Sequence, residues 1–403
     1  MAAVDSAAPA LPTAQHRRES PEGRSRMDKV RTQALFENLL QSVAAEPESF
    51  LGFSQAESLT LGDFIADLDP ALSLDWNGVS FQGLPSLRQH VLVQAGLEAV
   101  CHADDVLITA GAAEANYLAL RQCLRAGDEI IIERPGWPQA EVLARATGAE
   151  IRIIDRDEEA GWQLPLDALE AMVSPRTRMI FVTNPNNPTG SLMDGDELAR
   201  LATIAGLHNS WLVVDEVYAG LEWTRQRMPS IAGLYERGIA TGSVSKVFGM
   251  QGLRLGWMIC RDKEMIHDAL VLREYSSQIS NHLGEAIAEV ALRPDRRSEL
   301  LTRIRAGSLE NLEKLTRFIE AHPALSWHRP EAGLIGLVRL VAGSGLTGDA
   351  LAARALQPPY RTFLISGSAY GKPDHIRLGV GGGAAANLDE GLEKLAALLA
   401  EFA

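Results

Sequence analysis

Residues 179–218, MIFVTNPNNPTGSLMDGDELARLATIAGLHNSWLVVDEVY, decide the fold of this chain. The run opens on a short apolar segment, 179–183, with the β-branched and aromatic residues of a buried strand. It breaks at a Pro- and Gly-rich turn, 184–190, and takes up helical spacing over 196–208. A second apolar strand follows over 211–214 and ends on an acid, Asp215. Two all-apolar strands joined by a helix form a parallel pair covered on both faces, because a strand half exposed to water would alternate polar and apolar residues.

The same unit recurs outward from this core. Strands are expected over 106–109, 129–132 and 151–154, with another beginning at 239. Helices are expected over 84–96, 112–124, 139–147 and 165–173. The result is an α/β architecture with a mainly parallel sheet. After Arg293 the character changes to a long charged helix over 297–321, strand-like runs over 333–340, 363–366 and 375–380, and a closing helix over 388–402. That mixture suggests a smaller α+β domain. The expected division is a flexible tail over 1–26, an N-terminal arm over 27–65 that includes a helix over 30–43, a large domain over 66–293 and a small domain over 294–403. The tail is poor in large apolar side chains and rich in Pro, Ser and Arg, so it has little to bury. Asp5, Glu19 and Glu22 argue against a transit peptide.

Bulk properties narrow the function. The chain has 403 residues, 46% of them hydrophobic, and a formal net charge of −14, which argues against nucleic acid and anionic membrane as partners. Cys101, Cys123 and Cys260 are widely spaced and form no CxxC pair, a pattern that fits a reducing, cytoplasmic setting. No apolar run reaches the length of a bilayer span.

Chemistry concentrates at the strand ends. In TGSVSKVFGMQGLRLGW, residues 241–257, Lys246 stands just past a strand among small residues, eight positions before Arg254. A lysine in an apolar pocket beside another cation has a depressed pKa and forms a Schiff base with a carbonyl, although a surface lysine after a strand has the same local look. Ser243, Ser245 and Arg254 suit a phosphate dianion. Gly111, Ala112 and Ala113 lie at a strand–helix junction, where small residues let backbone amides approach a phosphate. Asp215 must be paired, by a protonated pyridine or as a helix cap. Taken alone, NPNNPTG is a turn that aims Asn187 toward the sheet edge.

Together SxSK, GLRxGW, NPNNPTG, DEVY and ExPxWP resemble the class I/II aminotransferases of the aspartate-aminotransferase-like fold, from about residue 84 to the C-terminus. The resemblance implies fold type I, with a mainly parallel seven-stranded sheet flanked by helices, and pyridoxal 5'-phosphate as cofactor. It implies that Lys246 carries the cofactor and moves the proton, and that Asp215 pairs with the pyridinium nitrogen. Asn187 and Tyr218 would meet the 3' oxygen, and Ser243, Arg254 and the amides of Ala112 and Ala113 the phosphate. Trp137 would stack on the cofactor, and Arg377, in HIRLG, would grip the substrate α-carboxylate. Without the resemblance, Trp137 reads as core and Arg377 as a strand arginine facing either way.

The implied reaction moves an amino group from an L-amino acid to a 2-oxo acid, in a homodimer. GLPSLR, GLRLGW and REYSSQIS also resemble the capreomycidine-synthase-like branch, which implies instead a lyase or cyclase acting on a hydroxylated, arginine-like amino acid. A cofactor-binding transcription regulator would need a winged-helix domain that the N-terminal segment is too short to supply. A tyrosine expected near Gly78 is absent, leaving Trp76 or Ser80 as substitutes, and Ser280 and Asn281 lie in a segment that visits a neighbouring site in such families. In the arm, Glu57 and Asp63 would favour a cationic substrate if they faced it; as loop residues they would simply be solvated.

Overall fold

A computed structural model of the chain describes residues 39–40, 44–75, 80–223, 226–341, 346–381 and 387–402. The expected tail, most of the first expected helix, Trp76 and Gly78 lie outside these residues.

Among the described residues, seven strands form the central sheet: β1 (Val106–Thr109), β2 (Glu129–Arg134), β3 (Glu150–Asp155), β4 (Thr177–Thr183), β5 (Trp211–Asp215), β6 (Gly238–Ser243) and β7 (Gly256–Ile259). Their spatial order is β1-β7-β6-β5-β4-β2-β3. From β6 to β3 the neighbours are parallel. β7 runs antiparallel to both β6 and β1. The six anticipated strands are all present. β7 was not anticipated, because its four residues, GWMI, continue directly from the motif around Arg254 without a break in pattern.

The apolar runs behave as two-sided strands must. Ile131, Ile180, Val182, Leu212 and Val214 enter the core on one face. Their chain neighbours Ile130, Ile132, Met179, Phe181, Trp211 and Val213 enter a separate core on the other. The two-residue period of the pleat thus splits each run between two helical layers.

A second sheet of four antiparallel strands comprises β8 (Leu325–Trp327), β9 (Ile335–Leu340), β10 (Ile365–Ser366) and β11 (His375–Gly379), in the order β10-β11-β9-β8. It has its own apolar core, to which the long helix Pro294–Ala321 contributes Leu312, Leu315 and Ile319. That helix begins three residues earlier than the sequence suggested, with Pro294 in its first turn, where a missing N–H costs nothing. The anticipated strand over 363–366 is two short pieces, Thr362–Phe363 and Ile365–Ser366. Residues Ser49–Phe50 pair in parallel with Thr362–Phe363 as a separate two-stranded sheet, which ties the arm to the segment leading into β10.

Candidate active site

The C-terminal ends of β4, β5 and β6 carry Thr183, Asp215 and Ser243, and all three line one cavity of about 310 Å³. The carboxyl edge of a parallel sheet is where crossover loops diverge and leave room for a ligand. Of the residues singled out in the sequence, Ala112, Ala113, Trp137, Asn187, Asp215, Tyr218, Ser243, Ser245, Lys246, Arg254 and Arg377 face this cavity. Gly111 lies behind Arg254 instead of in the wall.

Lys246 follows β6 in a single helical turn, Val244–Val247. The residue is half-buried, and desolvation, reinforced by Arg377 and Arg254 and opposed by Asp215, pulls its pKa down to about 8. Its Nζ donates to Ser54 Oγ at 2.9 Å and to Ser54 O at 3.1 Å.

Asp215 ends β5 and is buried; desolvation pushes its pKa up to about 6 against a hydrogen bond from Asn116 and another from the Val217 amide. Asn116 Nδ2 lies 2.8 Å from Asp215 Oδ2, and Thr241 Oγ1 donates to Asn116 Oδ1 at 2.7 Å. Gln139 extends this network. Its Oε1 accepts from Asn116 and from Trp137 Nε1, each at 3.3 Å, while its Nε2 donates to Ala113 O at 2.8 Å. Trp137 is therefore fixed on the cavity wall and is only half-buried, which removes the reading of it as a core tryptophan.

The anion-binding corner is built from helix Ala112–Cys123 and the loop around Arg254. Ala112 and Ala113 are the first helical residues, so their amides lack partners within the helix. Gly111 has φ +85, and a Cβ there would stand 2.7 Å from Arg254 Nη2. Arg254 itself adopts a left-handed conformation, φ 52, ψ 52, which carries its side chain across Gly111.

Arg377 sits on β11, and the structure resolves its direction: the side chain is buried and points inward. It donates to Gly52 O from Nε at 3.2 Å and from Nη2 at 2.7 Å, to Asn187 Oδ1 at 3.2 Å and to Tyr370 Oη at 2.6 Å. The Asn184–Gly190 turn that presents Asn187 is pinned from beneath. Glu133 accepts from the Thr183 amide at 2.7 Å and from Asn186 Nδ2 at 2.9 Å, and Arg156 Nε donates to it at 2.8 Å.

Sequence reading missed Ser54, Asn116 and Gln139 on the wall. Each is a small polar residue in an otherwise ordinary loop or helix, and only the fold brings it to the site. Glu57 and Asp63 are not there: both turn to Arg303, at 3.6 and 3.8 Å, outside the cavity. Ser280 bonds Glu285, and Asn281 caps helix His282–Leu292 through the Gly284 amide. The Ser80 hydroxyl accepts from Arg88 at 3.4 Å.

The family model for aminotransferase class I and II matches residues 77–395. The chain belongs to the class I and II aminotransferases. Aspartate aminotransferase of Musicola paradisiaca is 26% identical to it over 331 residues, 80% of this chain and 81% of that protein. Capreomycidine synthase of Streptomyces vinaceus is 26% identical over 353 residues, 86% of this chain and 88% of that protein. A crystal structure of a PLP-dependent aminotransferase from Streptococcus suis superimposes with a TM-score of 0.85 at 27% identity, covering 93% of this chain and 99% of that one.

The cofactor of this aminotransferase-family enzyme is pyridoxal phosphate, and the residues present fit it. The corner made by Ala112, Ala113, two serine hydroxyls and Arg254 suits a dianion, and the buried Asp215 suits a protonated ring nitrogen. The buried Tyr218 phenol approaches the Ser54 hydroxyl without closing a hydrogen bond of normal geometry, leaving its oxygen for a ligand. Among the described residues no cluster of His, Cys, Asp or Glu would hold a metal, and no helix is long and apolar enough to cross a membrane.

Proposed function

We propose that this enzyme transfers the amino group of an L-amino acid to a 2-oxo acid, with Lys246 as the residue that carries the cofactor and moves the proton. The observation that carries the proposal is the convergence on one cavity of a half-buried lysine and a buried arginine, with a buried carboxylate at the end of the central strand. Bound pyridoxal phosphate supplies an electron sink that acidifies the Cα–H of an attached amino acid.

The chain's own residues do the rest. Asp215, ionised above about pH 6, holds a proton on the ring nitrogen and so keeps the sink charged. Lys246, with its pKa drawn down to about 8, is partly neutral near pH 7 and serves as base and then acid at Cα. Arg377 presents a planar fork to the α-carboxylate, and Asn187 beside it fixes the fork's rotation. Tyr218 and Asn187 would meet the 3' oxygen, and Trp137 would lie against the ring. The arrangement requires no charge on the substrate side chain. The cavity wall also includes the apolar side chains of Phe53 and Ile365.

A cyclase or lyase reading is favoured by the similarity to capreomycidine synthase, which matches that of the aspartate aminotransferase at 26%. Proton removal at Cα by Lys246 opens both reactions. The test is to incubate loaded enzyme with single amino acids and no acceptor. Transamination releases stoichiometric 2-oxo acid and then stops until a second 2-oxo acid is added. Continuous turnover of an arginine-like substrate without acceptor would establish the cyclase or lyase reading instead. We also propose that the enzyme is a homodimer and works in the cytoplasm.

A further inference from the structure

The turn Gly52–Ser54 contacts two of the site's cations, Arg377 and Lys246. Gly52 O accepts from Arg377, at 2.7 Å for the nearer nitrogen, and two residues later Ser54 offers both its carbonyl and its hydroxyl to Lys246 Nζ. Among the described residues these Ser54 oxygens are the hydrogen-bond partners of the Lys246 amine.

The turn is rigidly supported. Gly52 N donates to Phe363 O at 3.0 Å and Gly379 N to Leu51 O at 2.6 Å. Phe53 stacks on Phe50 with centroids 5.5 Å apart and packs on Phe363 at 4.9 Å. A Cβ at Gly379 would stand 2.0 Å from Phe53 O, and one at Gly381 would collide with Gln55 O. Those two glycines let the arm's backbone lie directly on the small sheet, so Ser54 is delivered on a braced strap. Ser54 is buried where it lines the cavity.

We infer that Ser54 is a positioning residue for Lys246, its hydroxyl holding the lysine amine at the cavity wall whenever that amine is not bonded to cofactor. A lysine on a flexible four-carbon stem has many rotamers, and the charges facing it do not select one. Arg377 and Arg254 repel it, and Asp215 attracts it from the end of β5. A hydroxyl acceptor at 2.9 Å supplies direction as well as solvation. The inference rests on the reading that Lys246 carries the cofactor. It does not depend on which reaction follows.

The test uses full-length wild type, Ser54→Ala and Ser54→Thr. In the cofactor-free proteins, acylation of Lys246 by acetic anhydride is followed across about pH 6 to 11 by peptide mass spectrometry, which gives the midpoint at which the amine becomes neutral. An oxygen acceptor favours the ammonium over the amine, so its loss moves the midpoint to lower pH in Ser54→Ala, and threonine restores it. In the loaded enzymes, kcat of Ser54→Ala falls about tenfold while KM for the amino acid stays near wild type, because Arg377 is intact. A wild-type midpoint in Ser54→Ala overturns the inference whatever kcat does, since a packing defect would lower turnover without retuning the amine. Trapping of the cofactor on a different lysine overturns the reading of Lys246, and that failure is recognised separately from the midpoint.

Discussion

The side-chain amide of Asn116 donates a hydrogen bond of 2.8 Å to the buried carboxylate of Asp215. Asn116 cannot turn around, because Thr241 donates to its other end at 2.7 Å. The bond favours the ionised carboxylate and works against desolvation. Asp215→Ala should therefore still bind cofactor through the phosphate corner but lose turnover by orders of magnitude. Asn116→Ala should lose less, by roughly one order of magnitude, because Asp215 stays in place with its ionised form less favoured. Steady-state kcat together with cofactor affinity checks both; an active Asp215→Ala enzyme would show that the ring nitrogen is paired elsewhere.

The pH dependence of cofactor loading follows from the two titrating groups. Asp215 is ionised above about 6, and Lys246 becomes nucleophilic above about 8. Capture of pyridoxal phosphate by cofactor-free protein should accelerate as pH rises through about 8, well below the ordinary lysine value of 10.5. Borohydride reduction followed by peptide mapping reads the captured fraction and should place it on Lys246. A rate that rises only near the ordinary lysine value would mean that the burial of this amine is relieved in solution.

Residues whose role depends on a sequential neighbour were legible before the fold was known. Asp215 follows an apolar strand, Asn187 sits in a turn fixed by proline and glycine, and Lys246 lies in a run of small residues; each announces a strand end. Asn116 and Ser54 were not legible. Asn116 lies mid-helix and reaches Asp215 across 99 positions of sequence, and Ser54 reaches Lys246 across 192. Such contacts are set by how layers pack, and no local period encodes them. Glu57 shows the converse. An acid beside the arm suggested a substrate contact, but the helix Pro294–Ala321 brings Arg303 closer, and the charge is neutralised there.

The Glu133–Arg156 pair beneath the Asn184–Gly190 turn should matter for stability more than any surface ion pair. Both side chains are buried, and Arg156 also donates to Trp162 O at 2.8 Å. Arg156→Met would strand the Glu133 carboxylate, whose pKa burial already raises, at a cost of about 3–5 kcal/mol. Adding Glu133→Gln should recover part of that loss. Denaturant midpoints for the single and double variants test the coupling, and additive losses would show that the two residues act independently.

Arg254 is exposed in the single chain although its guanidinium shapes the phosphate corner. Phe81, Ile65 and Tyr275 are large apolar residues that also face outward. A second copy that covers these groups would account for both features, and the protein should sediment as a dimer at assay concentration. A monomer with full activity in analytical ultracentrifugation would contradict the homodimer proposal.

Substrate charge gives the last prediction. Glu57 was the arm's candidate for selecting a cationic side chain, but its carboxylate lies 3.6 Å from Arg303 Nε and is about half exposed, at 53%. Among the described residues that line the cavity Asp215 is the sole carboxylate, and it stands at the end of β5. A carboxylate already paired and solvated has little free energy left to discriminate a substrate, since exposed pairs contribute about 0–1 kcal/mol. Glu57→Gln should therefore leave the ratio of kcat/KM for arginine-like and neutral amino acids unchanged within about twofold. Shortening the apolar wall should act differently: Phe53→Ala should raise KM for neutral apolar amino acids, because the ring packs on Phe363 and faces the cavity. Selective loss of the arginine-like substrate in Glu57→Gln would mean that the arm rearranges on binding and that the Arg303 contact is released.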